Sequence, residues 1–112
     1  EAWLDALRKY LRANAEFVYD FLRRELPGVR ALPLEGTYLM WLDLRSAKHP
    51  DEPLDGFSER FARHLTENAG LLMSTGTIYG PSGEGFERLN IACPRKTLEE
   101  GLRRLKKGYQ SY

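Results

Sequence analysis

The first quarter of the sequence constrains the fold most. From Ala2 to Leu26, Leu4, Leu7, Leu11, Val18 and Leu22 recur at steps of three, four or seven, with Phe21 beside them. That spacing is the apolar stripe of one long amphipathic helix, which is stable only against another layer of structure. Pro27-Gly28 stops it, because proline cannot donate the next ladder bond and glycine accepts the left-handed conformation at a helix end. The chain has 112 residues and 12.9 kDa, so the layer that covers this stripe must belong to a single domain. Cys93 is the one cysteine. It excludes an intrachain disulfide and a multi-cysteine zinc site, leaves stability to burial, and suits a reducing compartment, so a cytoplasmic location is expected.

Downstream, Glu35 to Arg45 is dense in aromatic and apolar residues on both alternating faces, which predicts a buried strand over 37–44. A short strand near Val29 to Leu32 would precede it. Ser46 to Asp55 holds two prolines and charged residues without period and reads as a surface connection. Phe57, Phe61, Leu65 and Ala62 then line one face of a second helix closed by Gly70. A short strand over 71–74 follows, then a loop carrying Gly76, Gly80, Pro81, Gly83 and Gly85. Phe86 to Ala92 alternates as a strand, with Leu89, Ile91 and Cys93 on one face and Phe86, Arg88, Asn90 and Ala92 on the other. Thr97 and Glu100 form a capping box for a last helix with the stripe Leu98, Leu102, Leu105 and Tyr109. The order α, β, β, α, β, β, α predicts an α+β domain: a small, largely antiparallel sheet with helices packed on one face.

Charge and motif remove several function classes. Seventeen Lys and Arg against sixteen Asp and Glu leave a net charge of +1, too little field to expect nucleic acid or an anionic membrane as partner. No apolar run approaches the roughly 20 residues that span a bilayer, and the start has no signal-peptide core. The sequence begins at Glu1 inside a helical pattern without an initiator Met, as a piece of a longer polypeptide would. The glycine-rich loop lacks the Gly-Lys-Ser/Thr ending of a phosphate cradle and leads into a strand, so it reads as a turn or a flap. His49 and His64 stand at no metal-ligand spacing with each other or with Cys93, so no metal is expected. Cys93 reads as a small, partly buried residue. The cations Arg95, Lys96, Arg103, Arg104, Lys106 and Lys107 fit a solvated helix face. Arg88 is the distinctive residue: it stands on the strand face opposite Leu89 and Ile91, beside the glycine-rich loop. By pattern alone it is either a structural ion-pair partner or a fork for a carboxylate.

The runs EGTYLMWLDLR at 35–45 and GPSGEGFERLNIACPR at 80–95, with the leucine-spaced helix after them, resemble the C-terminal small domain of pyridoxal-phosphate-dependent enzymes of the aspartate-aminotransferase fold. Within that class I and II superfamily the likeness is above all to cystathionine β-lyase-like C–S lyases, and it covers nearly all of residues 1–112. It departs from the pattern at Thr75, where proline is common, and at Tyr79, where phenylalanine is. The resemblance implies that Arg88 binds the α-carboxylate of an amino-acid substrate, that Tyr38 stands near the substrate side of the cleft, and that Asn90 supports the arginine. A packing role for Tyr38 and a strand hydrogen bond for Asn90 are the alternatives.

The lysine that holds pyridoxal 5'-phosphate and most ligands of its phosphate would lie in a separate large domain, so these 112 residues are not expected to bind the cofactor or to be active alone. In the complete enzyme, the resemblance implies that the coenzyme serves as electron sink after the lysine takes the substrate's α-proton, and that β-elimination expels a thiol from cystathionine or a cysteine-S-conjugate. The parent would be a homodimer. An aminotransferase small domain and a free-standing amino-acid-binding regulatory module are the competing readings.

Overall fold

The computed structural model describes residues 1–33, 38–75 and 83–112. Helix α1 (Ala2–Glu25) is followed by strands β1 (Arg30–Pro33) and β2 (Leu39–Asp43), a 3-10 turn (Arg45–Ala47), helix α2 (Phe57–Ala69), strands β3 (Ser74–Thr75) and β4 (Phe86–Asn90), and helix α3 (Arg95–Ser111). The four strands form one sheet in the order β1-β2-β4-β3, every neighbouring pair antiparallel. The α+β architecture expected from the sequence is the one found.

One sheet face meets the helices. Met40 and Leu42 of β2 and Ile91 just after β4 are buried with Val18 and Leu22 of α1, Phe57, Phe61 and Leu65 of α2, and Leu98, Leu102 and Leu105 of α3. Each such side chain removed from water contributes about 1.5–3 kcal/mol. The alternate residues of β2, Leu39, Trp41 and Asp43, are only half-buried on the opposite face.

Several boundaries differ from the sequence reading, each for a local reason. In α1 the stripe is buried only from Asn14 onward, and Leu7 remains 39% exposed, because the first turns run past the sheet and the other helices. The strand predicted over 37–44 is β2, and it is buried on one face rather than both; Thr37 lies outside the described residues. The strand predicted over 71–74 is displaced to Ser74–Thr75, sharing only Ser74 with it. Leu71 N–H is already used in closing α2, donating to Leu65 O at 3.1 Å, while Gly70 turns the chain at φ 64°. The strand predicted over 86–92 ends at Asn90, whose Oδ1 accepts Ala92 N–H at 2.7 Å and bends the chain, taking Cys93 out of the alternation. The capping box does not form. Pro94 occupies the N-cap, so α3 starts at Arg95 and Thr97 lies inside the helix.

Candidate functional site

Arg88 stands on the sheet face that the helices leave open. The register pairs Leu32 with Trp41, Trp41 with Arg88 and Arg88 with Ser74, so one row crosses all four strands with Arg88 in it. Directly opposed residues of an antiparallel pair share a face. Leu32 is exposed while Trp41 and Arg88 are half-buried, and Trp41 meets the Phe86 ring edge-on at a centroid distance of 6.4 Å. Asn90 shares this face two residues on, opposite Leu39, and its side chain holds the bend at Ala92. Tyr38 precedes β2 by one residue. Its carbonyl accepts Ile91 N–H at 2.9 Å, and it is 52% exposed, outside the buried core of these residues. The structure therefore brings Arg88 and Asn90 onto one strand face and sets Tyr38 at the end of the neighbouring strand. Beside Arg88 and Asn90, a cleft of about 210 Å³ opens at the sheet edge between Leu71, Met73 and the α3 residues Gly101 and Leu105.

Both ends of β4 are tied down by polar side chains that the sequence reading did not single out. Before it, the Glu84 carboxylate accepts Gly56 N–H and Ser58 N–H, each at 2.8 Å, at the start of α2. Burial acts to raise the Glu84 pKa, but these bonds from Ser58 and Gly56 outweigh it and lower it below the ordinary value. Ser58 Oγ in turn accepts Gly85 N–H at 2.6 Å, and Gly85 O accepts Leu44 N–H at 2.9 Å. After β4, the fully buried Asn14 of α1 donates from Nδ2 to Ile91 O at 2.8 Å and to Cys93 O at 3.2 Å, and its Oδ1 accepts Arg95 Nε–H at 2.9 Å. Tyr10 OH adds a bond to Cys93 O at 2.6 Å. Signals existed for both ends: Asn14 is a polar residue inside an apolar helix stripe, and Glu84 abuts the conspicuous glycines.

On the helix side of the same strand, Glu87 is 1% exposed, and neither carboxylate oxygen has a hydrogen-bond partner among the described residues. Burial, then the charge of Glu84, pushes its pKa up to about 8.

The remaining candidates take structural places. His49 stacks on Tyr112 at 4.7 Å, and its Nε2 lies 2.7 Å from Tyr112 O. His64 sits half-buried on α2, with Nε2 2.9 Å from Ser111 Oγ. The Cys93 thiol is pushed up by burial and donates weakly to Asn90 O, so it is not an activated nucleophile. No group of three metal-ligating side chains occurs among the described residues. In the basic C-terminal segment, Glu100 pairs with Arg103 and Arg104, and Lys106 reaches Glu25 of α1. Of the glycine-rich loop, residues 76–82 lie outside the described residues, Tyr79 among them. No described helix is long and apolar enough to cross a membrane.

The chain as a whole resembles known enzymes in sequence and in fold. No protein-family model matches the chain. Among curated proteins it is 38% identical over 104 residues to the cystathionine β-lyase PatB of Bacillus subtilis, covering 93% of this chain and 25% of that protein. It is 38% identical over 100 residues to the protein MalY of Escherichia coli, covering 89% and 24%. Among solved structures it superposes on cystalysin of Treponema denticola, which contains pyridoxal 5'-phosphate, with a TM-score of 0.83 at 32% identity, covering 99% of this chain and 26% of that one. A pyridoxal-phosphate-bound C–S lyase of Staphylococcus hominis in complex with L-cycloserine matches with a TM-score of 0.81 at 33% identity, covering 97% and 25%. The chain is thus a relative, in sequence and fold, of the pyridoxal-phosphate-dependent C–S lyases and aminotransferases. Cystathionine β-lyases are the relatives it matches at 33–38% identity, and it spans about a quarter of the length of those it matches.

The cofactor's need for a lysine in an enclosed site is not met by these residues. Lys9, Lys96 and Lys107 are exposed, Lys48 Nζ donates to the carbonyls of His49 and Glu52, and Lys106 is paired with Glu25.

Proposed function

We propose that residues 1–112 are the C-terminal small domain of a pyridoxal-phosphate-dependent C–S β-lyase acting on cystathionine or a cysteine-S-conjugate, with a large cofactor-binding domain elsewhere in the parent chain. In this reading Arg88 receives the substrate's α-carboxylate, Tyr38 borders the cleft and Asn90 holds the strand end beside the arginine. The observation that carries it is the position of Arg88: on the one sheet face that the helices leave open, in register with Trp41, on a strand fixed at both ends. A guanidinium there can grip a carboxylate through two parallel N–H bonds, which fixes the direction of the α-carbon as well as its position. Such positioning lowers the barrier because the reacting geometry is set before the reaction begins. The open face would be covered by the large domain and the substrate between the two, and the parent would act as a homodimer in the cytoplasm.

A second reading, the small domain of an aminotransferase, is favoured by the 29% identity over 99 residues to a probable N-acetyl-LL-diaminopimelate aminotransferase of Bacillus subtilis. Both readings use the same carboxylate contact. Assaying the full-length protein with L-cystathionine separates them: release of pyruvate, ammonia and a thiol without added keto acid supports the lyase, whereas amino transfer that depends on a keto acid replaces it with the aminotransferase.

A further inference from the structure

The chain enters the strand that carries Arg88 through a closely constrained glycine, Gly85. Gly85 has φ 90°, and a Cβ built on it would overlap Arg45 Cγ, so only glycine fits. Both polar groups of Gly85 are used, its N–H by Ser58 Oγ and its carbonyl by Leu44 N–H. Arg45 is itself held by a two-pronged bond to Asp43, at 2.9 and 2.8 Å, and its guanidinium lies 5.1 Å over the Phe86 ring. Beside the Ser58 Oγ bond, Glu84 joins this turn to the helix layer, its two oxygens spanning Gly56 N–H and Ser58 N–H. A carboxylate at that place meets the unpaired N–H groups and the positive end of α2.

We propose that Glu84 is a positioning residue for carboxylate capture: by tying the turn before β4 to the start of α2, it sets the height and direction of the strand that presents Arg88. The proposal rests on the reading of Arg88 as the carboxylate receptor. Three residue steps of extended chain, about 10 Å, lead from Gly85 to Arg88, and the peptide planes between them transmit the turn's orientation directly. Among the described residues β4 is paired along its length with β2 and at Ser74 and Thr75 with β3, and the tie to α2 adds an anchor to the helix layer just before the strand begins. A fork that must meet two oxygens at once loses affinity when tilted, even with its charge intact.

The test uses the full-length holoprotein and L-alanine, an amino acid with nothing to expel from Cβ, with binding measured by calorimetry. Glu84→Ala should weaken binding about tenfold and Glu84→Gln, which keeps one acceptor, about threefold, with bound pyridoxal phosphate unchanged. Once Arg88 is replaced by Ala, adding Glu84→Ala should cost less than about twofold, because the two act through one contact. Hydrogen exchange at the amides of Phe86–Asn90 should quicken in Glu84→Ala. Unchanged affinity in Glu84→Ala, or a loss that adds fully to that of Arg88→Ala, overturns the proposal. An Arg88→Ala protein that binds L-alanine normally instead brings down the carboxylate reading itself, and this inference with it. If Glu84→Ala fails to fold, Glu84→Gln carries the same comparison: its threefold loss must vanish in the Arg88→Ala background, and persistence of that loss overturns the proposal.

Discussion

Among single residues, Glu87 is the one whose chemistry and surroundings disagree most. It sits one position from the arginine, on the opposite face of β4, where alternation groups it with Leu89 and Ile91. The alternation made that legible: odd positions of the strand face the core, and a glutamate falls among them. What the sequence could not supply was that no described residue bonds to its carboxylate and that Glu84 approaches it. With its folded pKa about 8 against an ordinary 4.5, the sign of the pH effect follows. Below about 4.5 the carboxyl is protonated in both folded and unfolded chains. Between about 4.5 and 8 the unfolded chain gives up its proton while the folded chain keeps it, so stability falls as pH rises, by an amount on the order of 5 kcal/mol across the window, and then levels off. Glu87→Met, similar in volume and without a charge, should therefore stabilise the protein at pH 5 and stabilise it more at pH 9. Urea unfolding at the two pH values measures this; a variant less stable than the parent at pH 9 contradicts it.

At the scale of elements, the helices were legible because their burial follows the period of the stripe. Phe57, Phe61 and Leu65, and Leu98, Leu102 and Leu105, are buried as spaced. Element ends were less legible because distant contacts and competing local signals both act on them. Asn14 reaches from α1 to the carbonyls after β4, and Pro94 starts α3 before the Thr97 capping pattern can act. Helix α3 also carries two glycines in contrasting surroundings. A Cβ at Gly101 meets nothing within 4 Å, whereas one at Gly108 runs into Leu65 Cδ2, itself fully buried. Gly101→Ala should raise stability by about 0.5–1 kcal/mol through helix propensity alone. Gly108→Ala makes the same gain but overpacks the α2–α3 contact at a cost of about 1–3 kcal/mol, so it should lower stability. Thermal unfolding of the two variants checks the pair, and equal shifts of the same sign would contradict the packing described.

For the whole molecule, the arrangement is asymmetric: three helices cover one face of a four-stranded sheet, and the other face shows Leu32, Trp41, Phe86 and Arg88. At the far end of α1, Trp3 is 67% exposed. Apolar surface of this kind is in keeping with the proposed cover by a large domain. The fold class and the strand face on which Arg88 stands were legible from alternation, because alternation is local in sequence. The ties at Glu84 and Asn14 were not, since each links segments more than 25 residues apart. Because none of the five lysines stands in an enclosed site, residues 1–112 alone should give no stoichiometric, borohydride-trappable attachment of pyridoxal phosphate. Attachment at a single lysine, found by peptide mapping, would contradict that assignment.

The central claim is that Arg88 grips the substrate's carboxylate, and the direct measurement is kcat/KM of Arg88→Ala and Arg88→Lys in the full-length holoenzyme with L-cystathionine. Removing a two-pronged, charge-assisted contact should cost on the order of 2–5 kcal/mol of transition-state binding, with cofactor content and melting temperature little changed. Lysine should restore only part of the loss, since an ammonium cannot reproduce the planar fork. An Arg88→Ala enzyme that loses stability while its folded fraction keeps full kcat/KM would make Arg88 a structural residue and contradict the account.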